Sequence, residues 1–258
     1  MKKPAPGPAP VLQPAPLPKV RIADPFWTPR LEVNRTVTLP HQYRMCQETG
    51  RIDAFRLSWK PGMDNPPHIF WDSDVGKWIE AAAYALATHP DPELERRVDE
   101  TIELIAGAQQ PDGYLNTHFT VVEPEKRWAN LAEWHELYCA GHLIEGAVAY
   151  FEATGKRRFL DVMRRCADYI ASVFGRGPGQ KRGYCGHEEI ELALVKLHRA
   201  TGETRYLDLA KYFVDERGVK PNYFKLEGEA MRAKGWKPYG WVGGDYSYCQ
   251  AHKPVREQ

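Results

Sequence analysis

Apolar residues recur at helical spacing along most of this chain, and two-residue alternation is scarce. Leu94, Val98, Ile102 and Ile105 fall on one helical face, and Leu137, Ile144, Val148 and Phe151 do the same further on. Breakers and caps between such stretches predict seven helices, over residues 31–48, 73–87, 92–109, 131–152, 157–174, 187–199 and 204–217. Ser73 and Asp74 offer N-cap oxygens to the second, and Pro92 fits the first turn of the third. Residues 51–71, with Pro61, Gly62, Pro66 and Pro67, read as a long loop, as do the Gly-, Tyr- and Trp-rich last 40 residues, with another helix starting near Glu257.

One hairpin pattern occurs twice, about 45 residues apart. Gly141-His142 leads through Ala153-Thr154-Gly155 to Arg158-Phe159-Leu160-Asp161, and Gly186-His187 leads through Ala200-Thr201-Gly202 to Arg205-Tyr206-Leu207-Asp208. Helix pairs repeated at such a period stack, because each needs a neighbour to bury its apolar face. The reading is an all-α chain of (α/α)6-toroid helical-hairpin repeats, incomplete at about seven of the twelve helices a closed ring requires. Residues 1–20, with Pro at seven positions, read as a Pro/Ala-rich disordered leader, and residues 21–258 as the N-terminal part of the barrel.

Composition narrows the partners. Lys and Arg number 35 against 34 Asp and Glu, so no basic field exists to hold nucleic acid. No run of 18 apolar residues exists to span a membrane. The leader lacks a signal peptide's apolar segment, which leaves cytoplasm and periplasm both open. Five scattered cysteines without a CxxC pair argue against a disulfide framework or a zinc knuckle and for small buried thiols. Cys185-Gly186-His187 offers a thiol and an imidazole to a metal, but two ligands short of a site. Eight Trp and thirteen Tyr suit either a core or a carbohydrate site.

The candidate chemistry clusters at predicted helix starts. His135-Glu136 and His187-Glu188 repeat one dipeptide, and His142 lies two helical turns after His135, on the same side. Imidazoles at a toroid's cavity mouth can donate to and accept from sugar hydroxyls; each also suits a cap or buttress of its own helix. Asp72 and Asp74 read as an acid and base pair or as first-turn acids favouring the helix dipole. Glu188 and Glu189 carry the same two readings. Gln42 offers an amide to a diol or lies on a solvated face. Gln110-Pro111-Asp112-Gly113-Tyr114-Leu115-Asn116-Thr117 supports architecture more than chemistry. No phosphate loop, HExxH or GxSxG is present.

Taken in order, Asp24-Pro25-Phe26-Trp27, Phe70-Trp71-Asp72-Ser73-Asp74-Val75, the 110–117 turn, Trp134-His135-Glu136-Leu137-Tyr138, Gly141-His142-Leu143-Ile144-Glu145, Gly186-His187-Glu188-Glu189-Ile190-Glu191 and Gln250-Ala251-His252-Lys253-Pro254-Val255-Arg256-Glu257-Gln258 resemble glycoside hydrolase family 127, the β-L-arabinofuranosidase family. The resemblance implies an (α/α)6 barrel followed by β-sandwich domains. It implies retaining release of β-L-arabinofuranose from plant glycans or glycoproteins. It also implies a zinc-bound cysteine thiolate as nucleophile and a glutamate as acid/base. His135 and His187 are expected to hydrogen-bond the sugar, with His142 and Gln42 as further substrate-binding candidates. The nucleophile, acid/base and zinc ligands are expected beyond residue 258. No catalytic residue or metal ligand is therefore assigned in this chain, and it is expected to be inactive alone. Two rival readings are another toroid enzyme, such as an unsaturated uronyl hydrolase or a sugar epimerase acting through Asp72, Asp74 or a histidine, and a non-catalytic helical repeat scaffold.

Overall fold

A computed structural model describes residues 15–238. Among them the fold is helical, and the single β-bridge, Phe174 with Lys181, is isolated. The α-helices are α1 (Trp27–Val33), α2 (Leu39–Glu48), α3 (Trp71–Thr88), α4 (Pro92–Ala108), α5 (His118–Val121), α6 (Glu136–Thr154), α7 (Arg158–Val173), α8 (Ile190–Thr201), α9 (Thr204–Glu216) and α10 (Tyr223–Ala233). A π-helical segment, Asn34–Thr38, joins α1 to α2 just before Pro40, whose ring and missing N–H disturb regular helical bonding.

The helices form a two-layer arc. α3, α6 and α8 pack side by side as one layer; α4, α7 and α9 return along the other, each paired with its predecessor. The sequence explains which helix goes where. α6 buries most of its surface through small and aliphatic residues, including Ala140, Leu143, Ile144, Ala147 and Val148. α7 buries only a stripe, Phe159, Leu160, Val162, Met163, Cys166, Ala167 and Ile170, and leaves its charges outside. α3 and α6 cross closely because two glycines meet there. A Cβ on Gly146 would lie 2.8 Å from the Gly76 carbonyl oxygen, and one on Gly76 would lie 2.9 Å from that of His142.

The repeated hairpin punctuation has a local cause. Gly155 and Gly202 each end an inner helix at φ 75°, their N–H groups bonding Phe151 and His198 carbonyls. Thr154 and Thr201 hydroxyls donate to the carbonyls of Tyr150 and Leu197 and accept from the N–H groups of Lys156 and Glu203. The following Phe159 and Tyr206 occupy matching core positions. Arg158 and Arg205 each reach the preceding outer helix, at Glu103 and Asp168 respectively.

Several expected boundaries shift. α6 starts at Glu136 and not 131, because the donors ahead of it are already bound. Glu227 accepts the Leu131 and Ala132 N–H groups, and Asn130 accepts that of Glu133. α8 starts at Ile190 rather than 187. α3 starts at Trp71, and neither Ser73 nor Asp74 caps it; the Ser73 hydroxyl donates to the Phe70 carbonyl. The expected terminal loop contains α10, capped by Asn222 at the Phe224 N–H (2.9 Å). Most of the leader and the expected helix near Glu257 lie outside the described residues. No described helix is long and apolar enough to cross a membrane.

Candidate active site

The loops entering α6 and α8 converge, and a glycine permits it. Gly186 donates its N–H to the Leu131 carbonyl at 2.9 Å, so close that a Cβ there would sit 1.9 Å from the Ala132 carbonyl oxygen. This contact brings His187 to His135, with their Nε2 atoms 3.0 Å apart. His135 is the N-cap residue of α6 and sits in the left-handed region at φ 61°, a conformation uncommon outside glycine and held here by its surroundings. Glu136 follows it as a buried anchor, accepting from the Tyr114 hydroxyl (2.6 Å) and the Trp128 N–H (2.7 Å). Burial pushes the Glu136 carboxyl up to about 8.

Burial, then the neighbouring His187, lowers His135 to about 4; burial chiefly lowers His187 as well. Both rings are therefore neutral near pH 7, and across their shared contact one nitrogen donates while the other accepts. Tyr138 sits at the centre of the histidines, with ring centroids 5.4 Å from His135, 5.1 Å from His187 and 4.5 Å from His142. Lys77 donates to its hydroxyl at 2.8 Å. Phe70 closes the other side of His135, at 6.0 Å. The structure thus gathers His135, His142 and His187 around one tyrosine. Gln42 is exposed on α2, outside these ring contacts.

His142 faces a different chemistry. Its Nδ1 lies 3.2 Å from Glu189 and 3.6 Å from Glu145, and Lys196 pairs with Glu145 and, at 3.3 Å, with Glu80. Burial and then Glu145 raise the Glu189 carboxyl. Burial would raise Glu145 too, but His142, Glu189 and Lys196 overrule it and hold it below the usual carboxylate range. Glu188 takes none of this and pairs with Arg217 at 2.9 Å.

Asp72 and Asp74 are engaged elsewhere. Asp72 is buried and accepts both the N–H (2.8 Å) and the hydroxyl (2.6 Å) of Thr117, tying α3 to the 110–117 turn; burial raises it to about 6. Asp74 holds Arg51 at 2.7 Å.

Residues 19–258 match the family model described as β-L-arabinofuranosidase, GH127 catalytic domain. The chain belongs to the GH127 family. It is 44% identical over 201 residues to the non-reducing end β-L-arabinofuranosidase of Bifidobacterium longum subsp. longum, covering 74% of this chain and 29% of that protein. Its fold is similar to the crystal structure of a GH127 β-L-arabinofuranosidase from Geobacillus stearothermophilus T6, at TM-score 0.83 and 52% identity, covering 92% of this chain and 38% of that one. A second GH127 β-arabinofuranosidase structure matches at TM-score 0.78 and 40% identity, over 95% of this chain and 37% of the other. The chain therefore spans less than two-fifths of these relatives.

For a GH127 chain, one expectation about metal needs correcting. Metal ligands were expected to be absent here, yet His142, Glu145 and Glu189 offer three ligand atoms within 4.8 Å of one another. This group contains no cysteine, so it does not fit the thiolate zinc that the GH127 resemblance implies. Nor do the described thiols suit that role, because burial raises all four: Cys46, Cys139 well above its usual value, and Cys166 and Cys185 to about 12. Sequence reasoning also missed Tyr138, although its spacing, three after His135 and four before His142, places it on their helical face.

Proposed function

We propose that this chain supplies part of the sugar-binding wall of a retaining β-L-arabinofuranosidase, acting on β-L-arabinofuranosides of plant glycans or glycoproteins. The observation that carries this reading is the neutral His135–His187 pair, held at 3.0 Å by two converging loops and walled by Tyr138 and Phe70. With the sugar taking the place of their mutual contact, the two Nε2 atoms, one a donor and one an acceptor, can bridge adjacent hydroxyls of a furanose, and the aromatic edges can cover its apolar face. Because both rings are neutral near pH 7, their roles are to bind and orient the sugar. His142 enters one layer back, through Tyr138, and Gln42 could meet the sugar from α2. Family membership supports the choice of substrate class.

The reading leaves bond cleavage to groups outside the described residues, consistent with the buried, protonated state of the four described thiols. Asp72 and Asp74 give no support to a different toroid chemistry, since Thr117 and Arg51 already occupy them. The test is titration of L-arabinofuranosides into the chain, followed by calorimetry or histidine NMR. His187→Ala and His135→Ala should each weaken binding roughly 2- to 10-fold, as expected for one lost hydrogen bond of ~0.5–1.5 kcal/mol. Unchanged affinity in both variants would refute the wall. Robust hydrolysis of a chromogenic β-L-arabinofuranoside by the chain alone would refute the assignment of cleavage elsewhere.

A further inference from the structure

The cluster behind the histidine pair has a composition that binding a sugar does not require. α6 presents His142 and Glu145 three residues apart on one face, and Glu189 arrives from the loop entering α8. Gly141 makes room for it, since a Cβ there would lie 2.6 Å from Glu189 Cγ. His142 Nδ1 is 3.2 Å from one carboxylate and 3.6 Å from the other. Bonds of ~2.0–2.1 Å to a tetrahedral ion place neighbouring ligand atoms about 3.4 Å apart. The two spacings from His142 straddle that value, and all three ligand atoms lie within 4.8 Å of one another.

Hydrogen bonding leaves the same atoms unused. Both ring nitrogens of His142 and Oε1 of Glu189 are shielded from solvent and make no hydrogen bond. The 3.2 Å contact joins two of these atoms, His142 Nδ1 and Glu189 Oε1, to each other. Among the described residues, Lys196 pairs with Glu145 and Glu80 and leaves Glu189 aside. The side chains of His142, Glu145 and Glu189 are 13, 7 and 13% exposed, so an ion held among them would be largely shut off from water.

We propose that His142, Glu145 and Glu189 form a binding site for a divalent transition-metal ion of the zinc type, clamping α6 to the entrance of α8. One imidazole and two carboxylates suit such an ion. The ion would tie together the two elements that carry His135 and His187. This inference is independent of the arabinofuranosidase reading and distinct from any thiolate zinc.

The test uses the chelator-treated full chain, with Zn2+ as titrant in calorimetry and Co2+ as an optical probe. Expected are one ion per chain, a Co2+ spectrum without sulfur-to-metal charge transfer, and a zinc-dependent rise in melting temperature. Glu189→Gln and His142→Ala should each weaken binding by more than ~100-fold, beyond the ~10- to 100-fold that loss of a supporting partner costs. Cys185→Ser and the remote His89→Ala should leave it unchanged. Circular dichroism confirms the fold of the isosteric Glu189→Gln chain. Absence of stoichiometric uptake, a thiolate charge-transfer band, or full affinity in folded Glu189→Gln would each overturn the proposal. Because no sugar is present, these outcomes are separate from the fate of the histidine wall.

Discussion

Replacing Gly186 by alanine adds a single methyl group at the point where the two histidine-bearing loops touch. Its Cβ would stand 1.9 Å from the Ala132 carbonyl oxygen and 2.7 Å from the carbonyl carbon, whereas real Cβ contacts are essentially never under 3.0 Å. The loop opposite is anchored and cannot retreat freely, because Glu227 binds the Leu131 and Ala132 N–H groups and the Leu131 carbonyl accepts from Gly186. Overpacking of this kind costs ~1–3 kcal/mol, and losing the Gly186 hydrogen bond adds about 1. At roughly 2–4 °C per kcal/mol for a chain of this size, the melting temperature should fall by about 4–16 °C.

The same displacement separates His187 from His135. In histidine NMR titrations, His135 should then move up from about 4 toward its ordinary value as burial and its neighbour are lost. Two other glycines isolate the cause. Gly202 sits at φ 75° with nothing near its missing Cβ, so Gly202→Ala should cost only about 1 kcal/mol of backbone strain and leave the histidines alone. Gly107 lies within α4 with open space and an ordinary φ, so Gly107→Ala should stabilise by up to ~1 kcal/mol. A Gly186→Ala chain that melts like the parent, with His135 still titrating near 4, would refute the packing argument.

Three further outcomes follow from the same contacts. Glu136 is raised in the folded state, so its stabilising protonated form is fully present below about pH 4.5 and lost as pH rises through about 8. Urea unfolding should show Glu136→Gln gaining stability relative to the parent between pH 5 and 8.5, and a pH-independent difference would contradict this. His135 and His187 are lowered, so their contribution is present above about pH 6.5 and disappears as pH falls toward 4; the double alanine variant should flatten that acid limb of the stability curve. Arg158→Ala and Arg205→Ala break exposed pairs between outer helices and should each change unfolding free energy by no more than about 1 kcal/mol.

What could be read in the sequence divides along the range of the interactions. The hairpin ends were legible because Thr154-Gly155 and Thr201-Gly202 satisfy their own helix ends within four residues. α10 was missed although Asn222 is an equally local cap, because Pro221 and the surrounding Gly and Tyr read as loop. Asp72 and Asp74 looked like first-turn acids or a catalytic pair, and only folding reveals Thr117 and Arg51, 45 and 23 residues away, as their partners. The Gly-His dipeptide shows the limit most clearly. Its two copies look equivalent in the sequence, yet each glycine is required by a different neighbour, Gly141 by the Glu189 side chain and Gly186 by the Ala132 carbonyl. His142, inside α6, meets carboxylates, whereas His187, in the loop ahead of α8, meets another imidazole. One repeated dipeptide thus ends in two unlike settings, because the fold places one copy within a helix and the other ahead of one.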